Sequence, residues 1–264
     1  MDILDKIIAQ KRIELQERKE VINQKMLEGI IRENTPVYSL KDSLLQTKIP
    51  IIAEFKRKSP SKGFINESAK IDEVIPGYTK SGAAGISVLT DEQFFAGSVF
   101  DLKQARMLTK LPLLRKDFII DEYDLYLAKA VGADVILLIA AALTTQQTKR
   151  LTEKAKSLQL EVLLELHDES ELDHVNDSVD IVGINNRNLK TFQVDLDASV
   201  KLLSKLPDNI VKISESGISN PKTVVELMNA GFQGFLMGEN FMKMNSPENT
   251  LQEFIEQVAN FTQI

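Results

Sequence analysis

Val135-Ile136-Leu137-Leu138-Ile139 is a short, uninterrupted apolar run. A polar, amphipathic segment from Thr144 to Leu158 follows it, and then a second apolar run, Val162-Leu163-Leu164. Continuous apolar character suits a strand covered on both faces, as in a parallel sheet, and not a half-wet antiparallel strand. Thr144 or Thr145 is placed to cap the intervening helix. One strand–helix–strand unit is legible here.

The unit recurs. Apolar runs occupy Ile51–Phe55, Gly85–Leu89, Leu111–Leu114, Val135–Ile139, Val162–Leu164, Ile181–Ile184, Ile210–Ile213 and Phe232–Met237, eight in all. Helical periodicity marks Leu102–Leu108. Asp121 or Glu122 opens Tyr123–Val131, which Gly132 closes as a C-terminal glycine should. Pro221 stands in the first turn of a helix over Lys222–Ala230 that stops at Gly231, and Ser246-Pro247 opens the last helix, to about Phe261. Eight strand–helix units fit one closed (β/α)8 barrel, an α/β fold of the TIM type, for which ~250 residues is typical. The alternative is an open doubly wound sheet. Even spacing, and no glycine-rich phosphate loop after the first run, favour the barrel.

Ahead of the first run, Ile3 and Ile7, and Leu4 and Ile8, stand at helical spacing. Asp2–Arg18 therefore reads as an amphipathic helix, able to cap the barrel or to dock on a partner. No linker or charge block divides the chain. The expectation is a single domain over residues 1–264, with residues 1–48 as a helical extension.

Composition excludes several chemistries. There are no cysteines, so disulfides, thiol nucleophiles and cysteine-ligated metals are ruled out. The two histidines, His167 and His174, are too few for a histidine-rich metal centre. No GxGxxG or GxxxxGK[ST] pattern supports a nucleotide cofactor. The net charge of −6 argues against nucleic-acid binding through a general basic field. The start has no basic end followed by an apolar stretch, so it does not read as a signal peptide. The longest apolar run, Val135–Leu143, falls far short of the ~20 residues that span a bilayer. A cytoplasmic protein is expected, with no membrane or nucleic-acid partner; the sequence names no protein partner.

In a barrel, chemistry sits where strands end and the following loops begin. The first run ends in Glu54-Phe55-Lys56-Arg57-Lys58-Ser59, the third in Arg115-Lys116-Asp117-Phe118 and the fifth in Glu165. The sixth ends in Asn185-Asn186-Arg187, the seventh in Ser214-Glu215-Ser216-Gly217 and the eighth in Gly238-Glu239-Asn240. Side chains alternate along a strand, so Glu54 and Lys56 share a side. A structural salt bridge is the plain reading of that pair; an acid and a base in one pocket is the functional one. With Lys116 and Glu165 also at strand ends, four charges converge on one rim, which favours the second. Ser216-Gly217 and Gly238 lie in the two loops that often bind phosphate in barrels. Arg187 can add a charge-assisted bond, whereas the Glu239 carboxylate must point away from an anion. Phe94-Phe95 and Phe118 can line an aromatic site or pack in the core. His167 reads as a loop residue, and Lys212, inside the seventh run, finds no account.

These residues resemble the indole-3-glycerol-phosphate synthases of tryptophan biosynthesis through almost the whole chain. The matching stretches are Ile3–Ile7 with Lys11-Arg12, Ile52–Ser61, Ser87–Asp91, Phe94–Ser98, Leu114–Phe118, Gly183–Leu189 and Ser214–Ile218. The motifs after the first and third strands are the most specific. Asn240-Phe241 departs from the Ser-Leu more usual in the family. The resemblance implies ring closure of 1-(2-carboxyphenylamino)-1-deoxyribulose 5-phosphate, with loss of CO₂ and water and with no cofactor and no metal. It implies that Lys116 is the general acid and Glu165 the general base. Lys56 would hold an anionic group, Glu54 would orient Lys56 and Lys116, and Asn185 would bind a hydroxyl. Arg187, Ser216, Gly217, Gly238 and Glu239 match phosphate and sugar contacts, and Glu215 matches a hydroxyl contact. Ser59, Phe95 and Phe118 match the wall around the aromatic ring. A nearby positive charge is expected to bring the Lys116 pKa down toward working range. The rivals are an aldolase with a Schiff base on Lys116 and a non-catalytic binding protein.

Overall fold

The computed structural model describes residues 2–31, 36–188 and 193–262; Leu189, the end of one matching stretch, lies outside them. Eight parallel strands close into a barrel: β1 Ile51–Phe55, β2 Gly85–Leu89, β3 Leu113–Lys116, β4 Val135–Ile139, β5 Glu161–Leu166, β6 Ile181–Asn185, β7 Val211–Glu215 and β8 Phe235–Met237. Each strand pairs with its neighbours in sequence, and β1 closes the ring by pairing with both β2 and β8. Three helices precede the barrel: α1 Ile3–Val21, α2 Gln24–Ile30 and α3 Leu40–Gln46. The outer layer holds α4 Ile71–Lys80, α5 Val99–Leu108, α6 Glu122–Val131, α7 Thr145–Ser157, α8 Leu196–Leu203, α9 Pro221–Ala230, α10 Glu239–Met242 and α11 Pro247–Thr262.

The helix ends obey the local signals. Thr144 forms a capping box with Gln147, Asp121 caps α6 through the Tyr123 N–H, and Pro221 opens α9. Three expectations shift. The third strand runs Leu113–Lys116 and not Leu111–Leu114, because Pro112 has no N–H for the ladder and so stands before it. The eighth begins at Phe235 and not Phe232. The connection after β5 carries a 3₁₀ segment, Glu169–His174, in place of an α-helix. No residue of that segment is fully buried, and Leu172 is its one apolar side chain packed on the core, too little to seat a full helix on the barrel.

Strand alternation sorts the core into two. Ile52, Leu114, Val135, Leu137, Leu163, Ile181, Val211, Ile213 and Leu236 fill the barrel interior. Their neighbours, such as Phe55, Val88, Ile136, Leu164 and Val182, face the helices. Fully burying each large aliphatic side chain contributes about 1.5–3 kcal/mol. Lys212 lies between the interior-facing Val211 and Ile213, so its side chain points to the helical layer, 9 % exposed.

The leading helices stand at both ends of the interior. Leu40 and Leu44 of α3 pack into the cluster at the N-terminal end. Glu161, the first residue of β5, holds α3 there by accepting hydrogen bonds from the Leu40 and Lys41 N–H groups at 2.8 and 3.1 Å and from the Ser39 hydroxyl. At the other end, α1 lays Ile3, Leu4 and Ile7 along the rim of the barrel mouth. No described helix is long and apolar enough to cross a membrane.

Candidate active site

The interior-facing register that places Ile52, Leu114, Leu163, Ile181, Ile213 and Leu236 in the core continues two residues further to Glu54, Lys116, Glu165, Gly183, Glu215 and Gly238. Polar residues therefore replace apolar ones in the top layer of the barrel, at its C-terminal mouth. A cavity of about 360 Å³ opens there. Glu54, Lys56, Ser59, Phe95, Lys116, Phe118, Glu165, Asn185, Arg187, Glu215, Ser216, Gly217, Gly238 and Glu239 all line it. The sequence singled out each of these. Phe94 is not among the lining; its N–H is fixed by the Asp91 carboxylate at 2.7 Å.

Charge organises the floor. Lys116 Nζ lies 3.0 Å from Glu165 Oε2 and 3.5 Å from Glu215 Oε2. Lys56 Nζ lies 2.6 Å from Glu54 Oε1. Glu165 Oε1 accepts a hydrogen bond from the Asn185 amide at 3.0 Å, and His167 Nε2 lies 3.2 Å from the same oxygen. Asn185 is itself fixed, since its Oδ1 accepts the Arg187 N–H at 3.0 Å. The third carboxylate, Glu215, is 1 % exposed, and its Oε1 has no hydrogen-bond partner among the described residues. Gly183 makes room for it: a Cβ there would run into Glu215 Oε1.

The electrostatics follow from that crowding. Burial opposes the Lys116 charge, but Glu165, Glu215 and Glu54 outweigh it and raise Lys116 above the usual ammonium range. The expectation of a nearby positive charge lowering Lys116 is thereby corrected: its neighbours are acidic groups, Glu165 foremost. Burial likewise opposes the Glu165 charge, yet Lys116, His167 and Asn185 hold it well below the ordinary carboxylate value. Glu215 is left without compensation. Burial, with repulsion from Glu165 and Glu54, pushes it up to about 8 despite Lys116.

Three regions surround this floor. Phe95 and Phe118, from the loops after β2 and β3, stand with ring centroids 6.0 Å apart, beside Ile3, Leu4 and Ile7 of α1. Away from them around the ring, the loops after β6, β7 and β8 bring Arg187, Ser216-Gly217 and Gly238-Glu239. Ser216 and Gly217 both have positive φ, at 69° and 73°, a backbone that turns successive peptides into a concave loop. The Glu239 carboxylate lies 3.7 Å from Arg187 Nη2 and 3.9 Å from Lys62 Nζ, paired with cations at the rim. The third region is the β1 loop with Lys56, Ser59 and Ser61.

Sequence reasoning missed one support. Lys11 of α1 is buried and lies 2.8 Å from Asp91, 3.0 Å from Asp117 and 3.1 Å from Glu14. Asp91 in turn fixes the Phe94 and Phe95 N–H groups, and Asp117 the Phe118 N–H. One ammonium thus ties α1 to both loops that carry the aromatic wall. Lys11 stands in a stretch that matches the family, but its contacts are not legible there, because its partners are remote in the chain. Among the described residues no group of three or more histidines and carboxylates could hold a metal ion.

A sequence model of the family described as "Indole-3-glycerol phosphate synthase" matches residues 4–254. An indole-3-glycerol phosphate synthase of Bacteroides thetaiotaomicron is 50% identical over 257 residues, covering 97% of this chain and 99% of that protein. One from Neisseria meningitidis serogroup B is 45% identical over 252 residues, covering 94% and 96%. Among solved structures, a thiamine phosphate pyrophosphorylase from Pyrococcus furiosus superposes with a TM-score of 0.61 at 16% identity, over 84% of this chain and 98% of that one. A tryptophan synthase complex from the same organism gives 0.59 at 16% identity, over 80% and 98%. At such identities these two structures share the fold alone.

Proposed function

The chain belongs to the indole-3-glycerol phosphate synthase family, and from that premise we propose which of its residues carry the reaction. The enzyme is a ring-closing, decarboxylating lyase of tryptophan biosynthesis acting on a phosphorylated small molecule, 1-(2-carboxyphenylamino)-1-deoxyribulose 5-phosphate. Lys116 is the general acid and Glu165 the general base. The observation that carries this is the 3.0 Å contact between them at the floor of a cavity where both are charged.

Ring closure needs the aromatic carbon to attack the sugar ketone while that oxygen gains a proton. Lys116 supplies the proton and its charge stabilises the developing oxyanion. Loss of CO₂ returns the electron pair to the ring. The hydroxyl then leaves as water, taking a second proton, and Glu165 removes one proton as the pyrrole becomes aromatic. Glu165 Oε2 is near enough to Lys116 Nζ to hand that proton back; the balance, one proton, comes from solvent. Lys56, oriented by Glu54, receives the substrate carboxylate and is the candidate donor to the leaving hydroxyl. Asn185 and Glu215 contact substrate hydroxyls. Ser59, Phe95 and Phe118 enclose the aromatic ring, and Arg187, Ser216, Gly217, Gly238 and Glu239 hold the sugar phosphate. The raised Lys116 pKa supports an acid over a Schiff-base nucleophile, which needs the neutral amine. We also propose that residues 1–48 work as part of the barrel domain and not as a separate unit, since α1 borders the cavity and α3 closes the N-terminal end of the barrel interior.

The test is Lys116→Ala assayed by indole fluorescence with the carboxyphenylamino sugar phosphate. Turnover is expected to fall by ~10²–10⁴-fold while substrate binding survives. Undiminished turnover, or a borohydride-trapped adduct on Lys116 of the unaltered enzyme, would refute the assignment.

A further inference from the structure

We infer that His167 is a positioning residue for Glu165: wedged between Glu165 and Glu171, its imidazolium fixes one carboxylate oxygen and so presents the other to the substrate. The inference rests on Glu165 being the base. His167 Nε2 lies 3.2 Å from Glu165 Oε1, and His167 Nδ1 lies 3.6 Å from Glu171 Oε2. Glu171 Oε2 also accepts the His167 backbone N–H at 2.7 Å, which anchors the outer carboxylate to the same residue. The ring is 10 % exposed, so both contacts lie out of bulk water.

The two oxygens of Glu165 are thereby made unequal. Oε1 accepts a hydrogen bond from the Asn185 amide and lies within ion-pair distance of the His167 ring. Among the described residues, Oε2 is held by Lys116 alone. When Lys116 turns to the ketone oxygen, Oε2 is the oxygen set free, on the cavity side, and it accepts the proton. The imidazolium has a second consequence. A lysine that has given up its proton no longer balances Glu165, and a buried carboxylate without a cation takes up a proton from any source. His167 remains as a cation through that interval, so Glu165 waits, ionised, for the substrate proton. The titratable groups facing this pair are Lys116 from β3, Glu215 from β7, Glu54 from β1 and Glu171 from the segment after β5. Burial opposes the charge on His167, and the flanking carboxylates of Glu165 and Glu171 overcome it, raising the ring to about 10.

The chain has only two histidines, so ring-nitrogen NMR of the full-length protein resolves His167 from His174. At pH 8 His167 is expected to carry both ring protons and His174 one; a His167 that is neutral at pH 7 overturns the inference. The second arm is the pH profile of kcat/KM. His167→Asn keeps a neutral amide in place of the cation, and its acid limb should move up by about one pH unit or more, as expected for loss of an adjacent opposite charge. On the limb that is a ~10-fold loss at fixed pH. A structural role alone would lower activity without moving the limb. Glu165→Gln is the control. If it loses turnover ~10²-fold while the His167→Asn limb superposes on the original, the wedge falls and the base assignment stands. If Glu165→Gln keeps its turnover, both fall.

Discussion

Replacing Lys11 by Met tests whether the first helix is held on the barrel by buried charge. The Lys11 side chain is 5 % exposed, and its ammonium is shared between Asp91, Asp117 and Glu14 at 2.8–3.1 Å. Met matches the stem and deletes the charge. Asp117 keeps Arg115 at 2.9 Å and the Thr90 hydroxyl at 2.6 Å, whereas Asp91, fully buried, loses its ion pair. Removing one member of a buried ion pair costs about 3–5 kcal/mol, because the remaining charge stays desolvated. That range is expected for the loss of unfolding free energy in urea at pH 7. The chain has no tryptophan, so far-UV circular dichroism is the readout. The comparison is Lys70→Met, which removes an exposed i,i+3 pair with Glu73 and should leave the midpoint where it was. Salt should narrow neither difference, since the pair that matters is shielded from ions. Burial opposes the Lys11 charge, but Asp117 and Asp91 outweigh it and raise Lys11. Its contribution is therefore present below the unfolded lysine pKa and fades as pH rises through the still higher folded value. A loss under about 1 kcal/mol at pH 7 would refute a buried ionic clamp. Because Asp91 orients Phe95, the same variant should raise KM more than it lowers kcat.

Gly217→Val should chiefly raise KM, since φ at Gly217 is +73° and a Cβ would come within 2.6 Å of Val194; an unaltered KM removes this loop from the phosphate site. Gly183→Ala drives a methyl into Glu215 Oε1, and at least a ~10-fold loss of kcat/KM is expected, from misplacing Glu215 and its partner Lys116. Glu161→Gln, which weakens the anchor of α3, should cost about 1 kcal/mol of stability in urea with kcat unchanged, because it lies at the barrel's opposite end. Glu215, pushed up to about 8 by burial and by Glu165 and Glu54, holds a proton in the folded protein that the unfolded chain has lost. Stability should therefore fall as pH rises from the ordinary glutamate value to about 8, and Glu215→Gln should flatten that decline.

Strand ends were legible because the surrounding residues are so apolar. A lysine or glutamate that interrupts such a run, as Lys116 and Glu165 do, announces itself, and two-residue alternation then says which charges share a side. The register of β3 was harder, since Leu111-Pro112-Leu113-Leu114 is apolar throughout and only the missing N–H of Pro112 separates loop from strand. Contacts between remote segments left no trace. Lys11, part of a matching stretch on an amphipathic helix, says nothing by itself of Asp91 and Asp117 beneath it. His167 reads as a loop residue because nothing local says that Glu171, one turn on, folds back to meet it. Glu161 opens β5 as an ordinary polar start, and its role comes only from α3 arriving beneath it.

The resting ion pairs at the barrel mouth bear on how an over-stabilised ammonium can act as an acid. In the free protein Lys116 is held charged chiefly by the Glu165 carboxylate, and a proton so held is hard to give away. The proposed substrate alters that balance in a definite direction. In the proposed arrangement its aromatic half lies against Phe95 and Phe118 and its phosphate across the ring near Arg187, which leaves the ketone over Lys116. Drawing Lys116 toward the ketone lengthens its 3.0 Å contact with Glu165. Burial, the largest single influence on Lys116 and one that lowers its pKa, is then less opposed. The ammonium becomes a stronger acid as it reaches the atom that needs the proton. Glu165, relieved of its lysine, becomes a stronger base in the same motion. The pairing thus stores both groups in their reactive protonation states and releases them together, with the trigger supplied by substrate geometry and not by a permanent cation beside Lys116.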